Sequence, residues 1–305
     1  MIIDIPTTTA SQVAKRLVKV REEGGQVALG RVLTLVILAQ EQEIETAIAA
    51  ANAASSEHPC RIIVVAADDD APASLLNAQI RVGGDAGASE VIVLKGAANV
   101  VAHTDTLITP LLLPDAPIVA WWPSIVPASP ATEPIGAMAQ IRLTDSVMSD
   151  APEHNLQVLQ QNHAPGDVDL AWTRTTIWRG LLASVLDQPP YLPVTAIEVE
   201  GEANHPSCLL IQAWLQQALG VPTKLTNVAG SQGLTRVVLE RENGAIEYSR
   251  PDGRHATLRQ PNTPDQHIDL PLRNLEECLA EELRRLYPDE MYSDVLVNGL
   301  PMIGK

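Results

Sequence analysis

The sequence Arg31-Val-Leu-Thr-Leu-Val-Ile-Leu38 is almost entirely apolar and rich in β-branched residues, which is typical of a strand covered on both faces. An acidic, alanine-rich stretch at 41–54 has the composition of a helix, and Arg61-Ile-Ile-Val-Val-Ala66 repeats the buried-strand pattern. A strand, a helix and a second strand joined by short links form the βαβ unit of parallel sheets.

The flanking sequence extends this pattern in both directions. Thr9-Ala-Ser-Gln12 matches a capping box and opens a helix that runs to Arg21. Further strands are predicted at 78–82, 90–94 and 116–121, with a helix within 97–109. We therefore predict that residues 1–125 form an α/β, Rossmann-like N-terminal domain with a mostly parallel sheet and an inserted antiparallel hairpin.

The remainder of the chain has a different character. Residues 126–165 are rich in proline and weakly periodic, which indicates a linker or a long crossover. Residues 166–305 are predicted to form an α+β C-terminal domain with an antiparallel sheet. Its helices are expected at 169–186, 207–219, 274–286 and 289–297, and its strands at 195–199, 234–239, 246–249, 256–259 and 267–270. Asn243-Gly244 and Asp252-Gly253 provide hairpin turns.

Composition disfavours several classes of partner. The 305 residues include 21 basic and 37 acidic side chains, for a net charge of −16, and each half of the chain carries about −8. Binding a phosphate backbone needs clustered Lys and Arg, and the sequence has no such cluster. Nucleic acid and anionic membranes are therefore poor partners. The N-terminus lacks a signal-peptide pattern, and no apolar run approaches the ~18 residues of a membrane helix. We expect a cytoplasmic protein.

A glycine cluster is the main candidate for a ligand loop. Val82-Gly-Gly-Asp-Ala-Gly-Ala-Ser89 offers backbone amides to an anion, and Arg81 lies beside it. The candidate residues are Arg81, Gly83, Gly84, Asp85, Gly87 and Ser89. A phosphate loop opens a helix, however, whereas a strand is predicted to follow here, and Asp85 would repel phosphate. A structural or partner-facing hairpin is favoured.

Motifs for catalysis and metal binding are missing. His58-Pro59-Cys60 supplies two possible ligands, fewer than a zinc site needs, and no HExxH or GxSxG occurs. Cys60, Cys208 and Cys278 are far apart and are expected to be buried thiols. We predict no catalytic residues, no metal and no cofactor.

Tryptophans point instead to a protein partner. Phe is absent, and Trp121 and Trp122 are adjacent on a predicted strand. Adjacent strand residues point to opposite faces, so one ring is expected near the surface or a domain boundary. Packing on the second domain and contact with a partner both stay open. Further candidates lie on the helix after Gly166: Trp172, Arg174, Trp178 and Arg179.

Several segments together resemble the glucose-6-phosphate dehydrogenase assembly protein family, OpcA, of actinobacteria and cyanobacteria. They are Arg21-Glu-Glu-Gly-Gly25, Ala28-Leu-Gly-Arg-Val-Leu33, His58-Pro-Cys-Arg61, Ile80-Arg-Val-Gly-Gly-Asp-Ala-Gly-Ala-Ser89, Pro114-Asp-Ala-Pro-Ile-Val-Ala-Trp-Trp-Pro123, Asp167-Val-Asp-Leu-Ala-Trp-Thr-Arg174 and Asp187-Gln-Pro-Pro-Tyr191.

The resemblance implies a non-enzymatic effector that binds glucose-6-phosphate dehydrogenase and promotes its assembly or allosteric activation, supporting NADPH supply through the pentose phosphate pathway. The alternative is a sugar-phosphate- or NADP-binding enzyme or metabolite sensor that uses the Gly83–Ser89 loop. In a third hypothesis the tryptophans only join the two domains.

Overall fold

The computed structural model describes residues 1–24, 32–56, 58–68, 71–83 and 90–303. Its strands are β1 (Ile2–Ile5), β2 (Leu33–Leu38), β3 (Cys60–Ala67), β4 (Leu76–Arg81), β5 (Glu90–Gly96), β6 (Ile118–Trp122), β7 (Ile141–Thr144), β8 (Asp167–Asp169), β9 (Ala196–Gly201), β10 (Thr223–Asn227), β11 (Leu234–Glu240), β12 (Ile246–Ser249), β13 (His255–Gln260) and β14 (Thr263–Asp269).

Its α-helices are α1 (Ala10–Gly24), α2 (Ile44–Ala54), α3 (Ala98–Val101), α4 (Thr104–Ile108), α5 (Pro152–Asn162), α6 (Leu170–Thr173), α7 (Thr176–Leu186), α8 (Pro206–Leu219), α9 (Leu275–Arg284) and α10 (Glu290–Asp294). A π-helical turn at Val295–Gly299 continues α10. No helix in these described ranges has the length and apolar character needed to cross a membrane.

Chain contacts divide the molecule into two compact units. The first contains Met1–Asp145, Gly166–Val168 and Leu275–Pro288. The second contains Ser146–Pro165, Asp169–Asn274 and Asp289–Lys305. Compared with the sequence-based bounds at 125 and 165, the first unit extends further and includes α9, which packs against α2.

The first unit contains a sheet with the order β1-β4-β5-β3-β2-β6-β7-β8. Its central strands β5, β3, β2, β6 and β7 are parallel, and β4 pairs antiparallel with both β5 and β1. This confirms the predicted Rossmann-like sheet with an inserted antiparallel hairpin. The edge strand β1 was not predicted, because four residues alternating between exposed and half-buried give little signal.

Hydrophobic burial explains why the centre of this sheet forms. Every residue of β2 except Leu38 is buried, as is every residue of β3 except Ala67. On one face, Val13, Leu17 and Val20 of α1 pack with β-strand residues in a single core, as their helical spacing requires. The strands are therefore covered on both faces.

Residues 126–165 contain more regular structure than a linker. Ile141–Thr144 forms β7, which pairs parallel with β6, and Pro152–Asn162 forms α5. Pro152 occupies the first turn of α5, where its missing N–H costs no helical hydrogen bond. The high proline content masked a four-residue strand and a helix.

The second unit contains a sheet with the order β10-β9-β11-β12-β13-β14. Strands β9, β11, β12, β13 and β14 form the predicted antiparallel meander. Strand β10 pairs parallel with β9 at the edge of the sheet. Gly244, with φ 115°, provides the left-handed residue in the turn between β11 and β12. The helix predicted at 169–186 is divided into α6 and α7, which are separated by Arg174 and Thr175.

A buried carboxylate connects three elements of the first unit. Glu90 on β5 is 1% exposed and accepts from Arg61 Nε on β3 at 2.9 Å and from Arg21 Nε on α1 at 2.9 Å. A buried charge is stable only when it is paired and hydrogen-bonded, and here both carboxylate oxygens are used.

Glu90→Gln is expected to lower the free energy of unfolding by about 3 kcal/mol or more, because it leaves the buried Arg61 cation without its counter-charge. Urea unfolding followed by circular dichroism measures this change. Glu45→Gln is the matched control: Glu45 pairs with Arg81 but is 73% exposed, so the cost should stay within about 1 kcal/mol. Equal losses in the two variants would contradict the role given to Glu90.

Candidate functional site

The crevice at the carboxyl ends of β2 and β6 is where a Rossmann sheet binds its ligand, because the strand order reverses there. In this chain the crevice is a cavity of about 330 Å³ whose lining includes Leu38, Ala39, Trp122 and Ile125. Most of its lining is apolar, and Glu133 is the only acidic residue among the described residues that line it.

The turn that leads from β2 into α2 has the wrong chemistry for a pyrophosphate. Dinucleotide-binding turns are glycine-rich so that the backbone can approach the phosphates. Here the turn reads Ala39-Gln-Glu-Gln-Glu43. Glu43 folds back to accept a hydrogen bond from the Gln40 backbone N–H at 3.2 Å, and Glu41 pairs with Lys95. The turn that faces the pyrophosphate in dinucleotide-binding sheets therefore carries two carboxylates and no glycine here.

Trp121 and Trp122 are both buried, at 0% and 5% exposure. One ring was predicted to lie near the surface or a domain boundary; the burial of both rings excludes the surface position, because β6 is covered on both faces. Trp122 packs into the same core as α1, together with Ile135 and Ala139. Contact of either ring with a partner would require β6 to be uncovered.

Trp172 is the centre of an aromatic cluster in the second unit. It is fully buried, and its Nε1–H donates to Asp289 Oδ2 at 3.1 Å. The Arg179 guanidinium stacks 3.7 Å from the ring centroid, and the Tyr292 ring centroid lies at 6.0 Å. Asp289 also caps α10 by accepting from the Tyr292 N–H. Trp172 thus fixes the position of Arg179 and the start of α10.

Trp178 belongs to a different cluster. It is 2% exposed in the core of the second unit, where it meets the Tyr248 ring edge-on at 6.5 Å. The guanidinium of Arg250 lies 5.2 Å from its ring centroid. Arg174, the other candidate, lines a cavity together with Trp178. The structure therefore places the four candidate tryptophans in the core, whereas Arg174 lines a cavity and Arg179 stacks on Trp172.

An exposed patch lies above Trp172, and its members were not among the sequence candidates except for Arg179. The α7 patch consists of Arg179, Gly180 and Met291. Met291 is 51% exposed, and Arg179 Nη1 lies 3.8 Å from the Met291 sulfur. A β-carbon at Gly180 would have no neighbour within 4 Å. The available sequence signal was a glycine inside a helix, which costs about 1 kcal/mol relative to alanine.

The glycine cluster lies largely outside the described residues, which include neither Gly84, Asp85, Gly87 nor Ser89. Gly83 is described and adopts the left-handed conformation with φ 71°. Arg81 forms a bidentate ion pair with Glu45 at 2.8 and 2.6 Å, and its hydrogen bonds hold the pKa of Glu45 below the ordinary value. Arg81 is therefore engaged at the base of the loop.

The cysteines are chemically protected. Cys60, Cys208 and Cys278 are buried and form no disulfide. Burial raises the pKa of the Cys208 thiol to about 12, so it stays protonated and unreactive at neutral pH. Over the described ranges, no group of three His, Cys, Asp or Glu side chains is placed to hold a metal ion.

Two family models match most of the chain. Residues 51–161 match the glucose-6-phosphate dehydrogenase subunit N-terminal domain, and residues 165–296 match the C-terminal domain of the same subunit. This chain belongs to the OpcA family. A curated relative from Synechocystis sp., an OxPP cycle protein OpcA, is 28% identical over 188 residues, which is 55% of this chain and 39% of the relative.

A solved structure shares the fold of this OpcA-family chain, and a second is similar at a lower TM-score. An oxidoreductase from Sinorhizobium meliloti has a TM-score of 0.50 at 10% identity, covering 89% of this chain and 95% of the other. A 3-ketoreductase from Actinomadura kijaniata in complex with NADP has a TM-score of 0.48 at 10% identity, covering 88% and 94%. At this identity the likeness shows the fold alone.

The residues that carry the OpcA likeness have structural roles here. Arg21 and Arg61 hold Glu90. Asp167 forms a buried ion pair with Arg142. Asp169 caps α6 by accepting from the Ala171 N–H, and it also accepts from Ser146. Together with the anchor at Trp172, these contacts show that the described residues Arg21, Arg61, Asp167 and Asp169 of the motifs stabilise the scaffold.

Trp172→Ala is expected to lower the free energy of unfolding by about 3–5 kcal/mol, since it removes a buried indole together with the Asp289 hydrogen bond. Arg179→Ala removes only the half-buried side chain that stacks on the ring and should cost about 1 kcal/mol. Urea unfolding of both variants tests this. A smaller loss for Trp172→Ala than for Arg179→Ala would show that Trp172 is not the anchor.

Proposed function

We propose that this chain is a non-enzymatic, cytoplasmic effector that binds glucose-6-phosphate dehydrogenase and promotes its assembly or allosteric activation. The observation that carries the proposal is the match of both parts of the chain to domains of a glucose-6-phosphate dehydrogenase subunit. The relative from Synechocystis, described as an OxPP cycle protein, supports the same pathway.

The α7 patch is the proposed contact surface. Met291 exposes an apolar side chain beside Arg179, whose guanidinium is held in place by the buried Trp172 ring. A preorganised arginine next to an exposed apolar side chain has the composition of an interface hot spot, because little side-chain entropy remains to be lost on binding. The sequence candidates Trp172 and Arg179 thus act together, the first from below and the second at the surface.

Gly180 gives the α7 patch a second property. Nothing within the described residues surrounds it, so its helix gains no packing in return for the destabilising glycine. A glycine on an exposed helix face allows another backbone to approach closely. No contact of Gly180 with the described residues makes use of this property. Close approach by the enzyme accounts for it.

Activation of an enzyme by such a contact needs little energy. The effector must bind the active conformation of the dehydrogenase better than the inactive one. A tenfold shift requires a difference of about 1.4 kcal/mol, which a few buried apolar and arginine contacts supply. The proposal therefore requires only a modest difference in affinity between the active and inactive conformations of the dehydrogenase.

The alternative was a sugar-phosphate- or NADP-binding enzyme or metabolite sensor that uses the Gly83–Ser89 loop. An NADP-binding enzyme with the usual dinucleotide site is disfavoured, because the β2–α2 turn carries Glu41 and Glu43 in place of glycines and Trp122 and Ile125 line the crevice. The shared fold with oxidoreductases does not alter this, since one fold hosts many functions.

Gly180→Gln is expected to weaken binding to glucose-6-phosphate dehydrogenase at least about tenfold, because the added side chain blocks close approach. The free energy of unfolding should stay the same or rise by up to about 1 kcal/mol, since glutamine is the better helix former. A pull-down and surface plasmon resonance with the dehydrogenase measure binding, and an enzyme assay measures activation.

Ala53→Gln, at an exposed position of α2, is the matched control and should bind as the parent chain does. If Gly180→Gln binds and activates normally while the parent chain also binds, the α7 patch is not the contact. If the parent chain neither binds the dehydrogenase nor changes its velocity, the proposed function itself is wrong.

A further inference from the structure

A second cavity lies within the second unit and plays no part in the proposed contact with the dehydrogenase. It has a volume of about 400 Å³, within the range of small-molecule sites. Its lining includes three arginines, a histidine, a tryptophan and one carboxylate: Arg174, Arg250, Arg273, His205, Trp178 and Glu202. In a chain with a net charge of −16, this lining is cationic.

Arg250 is the unusual member of this lining. It is 3% exposed, and its terminal nitrogens donate to the carbonyls of Leu270 at 3.0 Å and Leu234 at 2.7 Å. Its Nε has no hydrogen-bond partner among the described residues. Of the other buried arginines, Arg61 and Arg142 each pair with a carboxylate, and Arg241 donates to the Pro190 carbonyl. Arg250 donates only to neutral carbonyls, and Asp252 acts on it through its charge without a hydrogen bond. A buried charge that is hydrogen-bonded only to neutral acceptors is costly until an anion compensates it.

His205 adds a neutral donor to the same cavity. Its Nδ1 accepts from the Ser207 N–H at 3.2 Å, so the ring proton of neutral His205 is on Nε2. Burial lowers the pKa of His205, with Glu202 opposing and Arg174 adding to the shift, and the ring is therefore neutral at pH 7. Nε2 lies 4.0 Å from Glu202 Oε2, which also accepts from the Gly233 N–H.

We propose that this cavity binds a small phosphorylated molecule that carries hydroxyl groups, such as a sugar phosphate. Arginines 174, 250 and 273 provide the positive field that a phosphate monoester requires. The Glu202 carboxylate and His205 Nε2–H provide an acceptor and a donor for hydroxyls, and the Trp178 ring provides an apolar wall. A cavity of this size holds a sugar together with its phosphate.

This site belongs to the chain alone, so its test is independent of the dehydrogenase. Isothermal titration of the full chain uses three probes: glucose 6-phosphate, inorganic phosphate and glucose. We expect glucose 6-phosphate to bind, inorganic phosphate to bind more weakly, and glucose to give no heat. Arg174→Gln should weaken glucose 6-phosphate binding at least about tenfold, because it removes one charge of the phosphate site.

Arg254→Gln is the matched control, since Arg254 is an exposed arginine of the same unit, 66% accessible and outside the cavity lining. It should bind like the parent. Arg250→Lys retains the charge but loses the planar donor set, and we expect it to weaken binding while circular dichroism shows an unchanged fold.

Two results would overturn the proposal. The first is glucose 6-phosphate binding weaker than about 1 mM, or no tighter than that of glucose or inorganic phosphate. The second is binding that Arg174→Gln leaves unchanged. Either result is compatible with a chain that still binds the dehydrogenase, so failure here is distinguishable from failure of the proposed function.

Discussion

The first unit depends on one constraint: the central strands of its parallel sheet are covered on both faces. A charged side chain within such strands has no access to water and must find its partner inside the protein. Glu90 satisfies this requirement by accepting hydrogen bonds from Arg21 of α1 and Arg61 of β3. The same constraint buries Trp121 and Trp122 together, although they point to opposite faces of β6. Residues that appear functional in the sequence are here needed for the scaffold.

Coverage of the sheet also bears on what its crevice can do. The strand order is that of a Rossmann sheet, and a solved oxidoreductase shares the fold. The loop that would hold a cofactor carries Glu41 and Glu43 instead of glycines, and Trp122 lines the cavity beyond it. Function depends on such local chemistry and not on the strand order. This chain therefore combines a Rossmann-like sheet with a crevice that is unsuited to a dinucleotide.

The second unit uses its arginines in two ways. Arg179 is stacked on the buried Trp172 ring and reaches the surface beside Met291, which suits contact with a protein. Arg250 is buried beside a cavity with only carbonyl partners, which suits an anionic small molecule. Both depend on aromatic rings for position, since Trp178 lies under Arg250 as Trp172 lies under Arg179. The candidate partner surface thus packs on Trp172, whereas the candidate ligand cavity is lined by Trp178.

The sequence by itself determined the parallel sheet, the antiparallel meander and the family. Apolar periodicity and turn residues act locally, so the strands around Val36 and Val237 and the turn at Gly244 were predictable. Tertiary structure alone decided which charges pair and which rings are exposed, because Arg21 meets Glu90 across 69 residues. The exposure of Gly180 and the absence of a carboxylate hydrogen bond to Arg250 were also visible only in the tertiary structure, because both depend on residues from distant parts of the chain.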